Sequence, residues 1–114
     1  MKTSELSGAA LDWAVAKCEG VSDWGFLQFY EGDEEDHEPP EYHYATDWAL
    51  GGAIIEREGI SILSTESGEW CATIGELYYE DDNPRSPTPL VAAMRAYVAS
   101  KLGKEVQIPE EITP

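Results

Sequence analysis

The sequence is poor in positive charge. Lysine and arginine together number 7 against 23 aspartates and glutamates, a formal net charge of −16. Phosphate backbones and anionic membranes are bound through basic surfaces, so this balance argues against direct binding to nucleic acid or to an anionic bilayer. Cysteine is scarce as well. Cys18 and Cys71 form neither a C-x-x-C pair nor a cysteine–histidine cluster. They read as buried thiols of a reducing cytoplasm, with a disulfide between them left open. No apolar run approaches the roughly 20 residues of a membrane helix, and Met1–Glu5 does not open a signal peptide. Catalytic signatures are missing too: there is no G-x-S-x-G, no P-loop, no G-x-G-x-x-G and no H-E-x-x-H.

What is present is enough for a core. The chain has 114 residues, 42% of them apolar, with four tryptophans and six tyrosines. That size and composition indicate one globular domain over 1–114. The large aromatic side chains supply much of the burial.

Leu11, Ala14, Val15 and Cys18 recur at helical spacing, with Ser7 as N-cap, Thr3 or Ser4 as earlier starts, and Gly20 as the stop. Phe26–Tyr30 reads as a strand. Glu31–Glu41 holds seven carboxylates and the pair Pro39-Pro40, the pattern of a solvated surface loop. Thr46–Gly52 reads as a turn, followed by one or two helical turns over Ala53–Glu58 and a stop at Gly59. Ile60–Leu63 reads as a strand, Glu66–Glu69 as a hairpin turn, and Trp70–Ile74 as the returning strand. Residues 79–87 form a second polar loop. Thr88 then caps a helix whose first position is Pro89, whose stripe is Val91, Met94, Val98 and Leu102, and which ends at Gly103, with Lys101 and Lys104 at its negative end. The tail past it reads as extended. The whole reads as an α+β fold, a small antiparallel sheet packed by an N-terminal and a C-terminal helix. Trp48, Ile55, Ile62, Trp70, Met94 and Val98 are expected to share one core with Leu11 and Val15.

Four blocks carry a resemblance. They are Ser4–Ala16 (SELSGAALDWAVA), Thr46–Glu58 (TDWALGGAIIERE), Trp70 with Ala72, and Pro87–Val98 (PTPLVAAMRAYV). In this order they resemble the NinX-like phage protein family, a domain of unknown function in tailed phages and prophages. The acidic loop looks like an elaboration of this chain, and Ala53 stands where proline is common. The resemblance implies a phage origin and the cytoplasm of an infected bacterium. It brings no catalytic residues.

Several constellations compete for a site. In the Asp47-Trp48…Gly51-Gly52 segment, the indole offers a stacking face, the carboxylate accepts from ribose hydroxyls, and the glycines admit a ligand. The opposing reading makes Trp48 core, Asp47 a cap and the glycines a bend. At the start of the last helix, free N–H groups, the Ser86 and Thr88 hydroxyls and the Arg85 fork suit an anion; the opposing reading is an ordinary cap with a solvated arginine. Arg57 and Arg95 either join such a site or pair with acids. Asp33, Glu34, Glu35, Asp36, His37, Glu38, Glu41 and His43 lack the spacing of a calcium or zinc site, and nothing orients Cys71 and His43 as nucleophile and base.

No metal, cofactor or enzymatic activity is therefore expected. The favoured reading is a counter-defence protein that sequesters a small anionic, nucleotide-like ligand through Asp47, Trp48, Gly51, Gly52, Arg85, Ser86 and Thr88. The alternative is an acidic DNA mimic, or another interaction inhibitor, that occupies a host DNA-binding or defence protein. A structural or regulatory adaptor is a third reading.

Overall fold

The computed structural model describes residues 1–22, 42–74 and 85–112. A 3-10 turn at Thr3–Glu5 leads into helix α1 (Gly8–Cys18). Helix α2 (Trp48–Glu58), strands β1 (Ile60–Ser64) and β2 (Trp70–Ile74), helix α3 (Pro89–Leu102) and a 3-10 turn at Glu110–Ile112 follow. This is the α+β arrangement expected. The strand expected at Phe26–Tyr30, the acidic stretch Glu31–Glu41 and positions 79–84 of the second polar loop lie outside the described residues.

Helix α1 starts after Ser7, which has the extended backbone of an N-cap but makes no capping bond through its hydroxyl. It ends in a Schellman motif. Gly20 adopts φ +92°, its N–H donates to the Lys17 carbonyl at 3.1 Å, and the Val21 N–H reaches back to Ala16 at 2.9 Å. A left-handed residue is needed there, and glycine takes it without strain. Ala10–Ala16 are all buried. A run of seven covers nearly two turns, so α1 is covered on every side there rather than along one stripe. The buried run includes Asp12, 4% exposed, whose Oδ1 accepts the Ala45 N–H at 2.9 Å.

Helix α2 departs from expectation. The turn expected at Thr46–Gly52 is its first turn and a half. Asp47 caps it, accepting the Ala49 N–H at 2.8 Å, and neither Gly51 nor Gly52 has a positive φ. Glycine has another purpose at 51. A Cβ there would lie 2.6 Å from the Tyr44 carbonyl oxygen and 2.5 Å from Leu90 Cδ1. The missing side chain lets α2 close onto the start of α3. Gly51→Ala gains up to ~1 kcal/mol of helix propensity but forces a methyl against a fixed carbonyl, an overpacking cost of roughly 1–3 kcal/mol. A net loss is expected, read as a lower denaturant midpoint; an unchanged midpoint would mean that the interface has slack.

Helix α3 follows expectation at both ends. The Thr88 hydroxyl accepts the Val91 N–H at 3.0 Å, Pro89 opens the helix, and Gly103 closes it. Its role is larger than expected, because it packs against β1, β2, α1, α2 and the first 3-10 turn. Leu90–Met94, Tyr97 and Val98 are therefore all buried. The hairpin pairs Ile60 with Ile74, Ile62 with Ala72 and Ser64 with Trp70.

Leu6, Leu11, Val15, Ile54, Met94 and Val98 are each no more than 2% exposed and form the middle of the core. Ile55 and Ile62 pack at its margin, and Trp70 is half-buried. Trp48 is not core: at the first position of α2 it is 54% exposed, with its ring beside Gly52.

Candidate functional site

Beyond its pairing with β1, β2 bridges at Trp70 to Ser86, with Trp70 N to Ser86 O at 2.9 Å and Ser86 N to Trp70 O at 2.8 Å. At the other end of α3, the N-terminal segment lies along residues 103–106. The Thr3 N–H donates to Lys104 O at 2.8 Å and the Val106 N–H to Met1 O at 3.0 Å. The Thr3 hydroxyl donates to Gly103 O at 2.6 Å. Between these walls α3 presents the small side chains Ala92, Ala96, Ala99 and Ser100 beside Arg95. The space they leave is a groove of about 680 Å³, floored also by Ala72 and Ile74. That is the size of a small-molecule site.

The groove is basic in an acidic protein. Among the described residues, Lys2, Arg95 and Lys104 line it against one carboxylate, Glu105. Three of the chain's seven cations therefore border one recess. Hydroxyls of Ser4, Thr73 and Ser86 add donors, while those of Thr3 and Ser100 already donate to backbone carbonyls. The Thr73 hydroxyl is buried without a hydrogen-bond partner among the described residues, an uncommon state for a buried polar group.

Arg95 is held firmly. Its Nε donates to Leu6 O at 2.7 Å, and its Nη1 donates to Ser86 Oγ at 2.9 Å and to Arg85 O at 3.4 Å. These acceptors are neutral and orient the guanidinium, and the carboxylate nearby is that of Glu5, which attracts it without a hydrogen bond. Burial lowers its pKa, although an arginine stays charged at any ordinary pH. Arg57 behaves differently. It forms a fork with Glu19 at 2.6 and 3.0 Å and also reaches Glu58. The Glu19 carboxyl is held below its usual range, first by the Arg57 hydrogen bond. Tyr97 OH donates to Glu19 at 2.5 Å, and burial pushes the phenol up. This cluster ties the end of α1 to α2 and α3.

The residues singled out from sequence are dispersed. Ser86 lines the groove; Asp47, Trp48, Gly51, Gly52, Arg85 and Thr88 do not. Asp47 and Thr88 serve as caps, and Arg85 is exposed. The two segments do meet, but through Gly51 and Leu90 rather than through Trp48 and Arg85. Neither Lys2 nor Lys104 is marked in the sequence as a site residue; Lys104 reads there only as a charge suited to the end of the last helix. Both cysteines are free thiols. Cys71 is buried, and burial raises the Cys18 thiol to about 11, which leaves it protonated and unreactive. Among the described residues no three His, Cys, Asp or Glu side chains gather as a metal site, and no helix is long and apolar enough to cross a membrane.

Fold and groove together define a small acidic α+β domain with a basic recess beside its last helix. The chain belongs to the phage family described as Bacteriophage P22, NinX, whose family model matches residues 2–101. Comparison with curated proteins gave no match.

Proposed function

We propose that this phage protein acts by binding rather than by catalysis, and that it captures a small anionic, nucleotide-like ligand and withdraws it from the host. The observation that carries this reading is the groove. In a chain of net charge −16, Lys2, Arg95 and Lys104 converge on one recess, and no carboxylate among the described residues forms an ion pair with them. An acidic exterior repels polyanions over distances beyond a contact, while a local basic recess still attracts a small anion. The scale of the recess matches that of a nucleotide-sized ligand.

A ligand that binds only the folded state raises stability by RT ln(1 + [L]/Kd), about 2.7 kcal/mol at a hundredfold excess over Kd. Nucleotides, cyclic nucleotides and ADP-ribose derivatives are the probes, read by thermal shift at low salt. A concentration-dependent rise in Tm with at least one of them is expected. No shift with any probe would reject the reading.

The net charge favours a second reading, an acidic mimic of DNA that occupies a host DNA-binding or defence protein. A purified DNA-binding protein would then be bound in place of the small ligands, with an affinity that falls steeply as salt rises.

A further inference from the structure

We infer that the groove selects a phosphate monoester, a dianion, over a cyclic phosphodiester; the inference rests on the small-anion reading above and names the ligand class for that site. Among the described residues that line the groove, three cations against one carboxylate leave a formal surplus of two positive charges. A monoester carries close to two negative charges at pH 7 and presents three acceptor oxygens, with a second pKa near 6. A cyclic diester carries one charge and two free oxygens, and leaves one cation uncompensated.

The donors suit that group. Arg95 has Nε and Nη1 engaged with neutral oxygens, while Nη2 has no partner among the described residues. A guanidinium fixed in this way loses little freedom when it grips an anion. Lys2 and Lys104 stand on the two segments joined by the Thr3–Lys104 hydrogen bond. Both are exposed, so each ammonium is a movable point charge at the mouth of the groove. The floor of Ala72, Ile74, Ala92, Ala96 and Ala99 gives the rest of the ligand an apolar bed without hydrogen bonds. Among the described residues no aromatic side chain lines the groove, so none of them offers a ring to stack on a base. Affinity should follow the phosphate and depend little on the base.

The test uses the full chain with AMP, UMP, 3′,5′-cyclic AMP and adenosine as probes, read by calorimetry in low salt. AMP and UMP are expected to bind alike, and about tenfold or more tighter than cyclic AMP, while adenosine is inert. Affinity for AMP should drop about three- to fourfold between pH 7.5 and 5.5 as the phosphate takes up its second proton. Lys2→Gln and Lys104→Gln should each weaken AMP about fivefold. Lys101→Gln changes the net charge equally, but Lys101 sits by Glu58 and does not line the groove, so it should have no effect. Arg95→Lys should weaken AMP further, and a melt of the free variant separates lost binding from lost folding.

Cyclic AMP binding as tightly as AMP would overturn the inference and leave the small-anion reading standing. So would both lysine variants matching the wild type, whereas uncharged adenosine binding as tightly as AMP would overturn the small-anion reading as well. Failure of every probe, inorganic phosphate included, would overturn the reading and the inference together.

Discussion

Met94→Ala is expected to destabilise the protein by about 2–5 kcal/mol, the range found when a buried methionine is cut to alanine and leaves a cavity. Met94 is fully buried on α3, the helix that touches both strands and both other helices. A hole there has walls on every side, and those walls belong to elements already fixed by their own hydrogen bonds. Relaxation to fill it is limited, which places the cost in the middle or upper part of the range. Domains of this size hold about 5–15 kcal/mol in total, so the variant should melt well below the wild type in urea with a similar slope. A loss under about 1 kcal/mol would show that α3 is less central than its packing indicates.

Asp12→Ala is expected to cost about 1.5–3 kcal/mol, the scale of a hydrogen bond to a charged group together with a buried donor left unmade. The Asp12 carboxylate takes the Ala45 N–H at 2.9 Å, and both residues are buried. Without it the turn at Tyr44–Ala45 loses its tie to α1, and the same turn supplies the carbonyl against which Gly51 packs. Asp12→Asn keeps an oxygen acceptor and should lose clearly less. Hydrogen exchange at the Ala45 amide gives a local readout: protection should fall in the alanine variant and persist in the asparagine one. Equal protection in both would remove Asp12 from this role.

The parts of the fold that follow local rules were legible in the sequence. Thr88, Pro89 and Gly103 bracket α3 because caps and stops act through the backbone of the helix they end. The hairpin turn and its strands are likewise a short-range matter. Helix α2 was harder to read. Two adjacent glycines weaken a helix by intrinsic propensity, and Thr46–Gly52 therefore reads as a turn. The helix forms nonetheless because Asp47 caps it and because Gly51 lets it pack against Tyr44 and Leu90. Trp48 was placed in the core on hydrophobicity alone. In the structure it stands at the first position of α2, where the indole lies beside Gly52 and is left 54% exposed.

The candidate site was less legible still. Arg95 is among the cations the sequence offers, but nothing in it marks Lys2, and Lys104 reads only as a charge suited to a helix end. No periodicity or motif links positions 2, 95 and 104. They become neighbours because the N-terminal segment lies along residues 103–106 and because Arg95 grips the Leu6 carbonyl. Ser86 was singled out as a hydroxyl near a helix start. In the structure it orients Arg95 at the groove.

By itself the sequence determined the family, the α+β class, the ends of α1 and α3, the hairpin and the scarcity of positive charge. Each of these is written in residues close together or in the composition as a whole. Tertiary structure alone decided that Trp48 faces outward, that Gly51 is a contact rather than a turn, and that three scattered cations border one groove. Those outcomes depend on which distant residues become neighbours, and that is settled by the packing of the whole chain around α3.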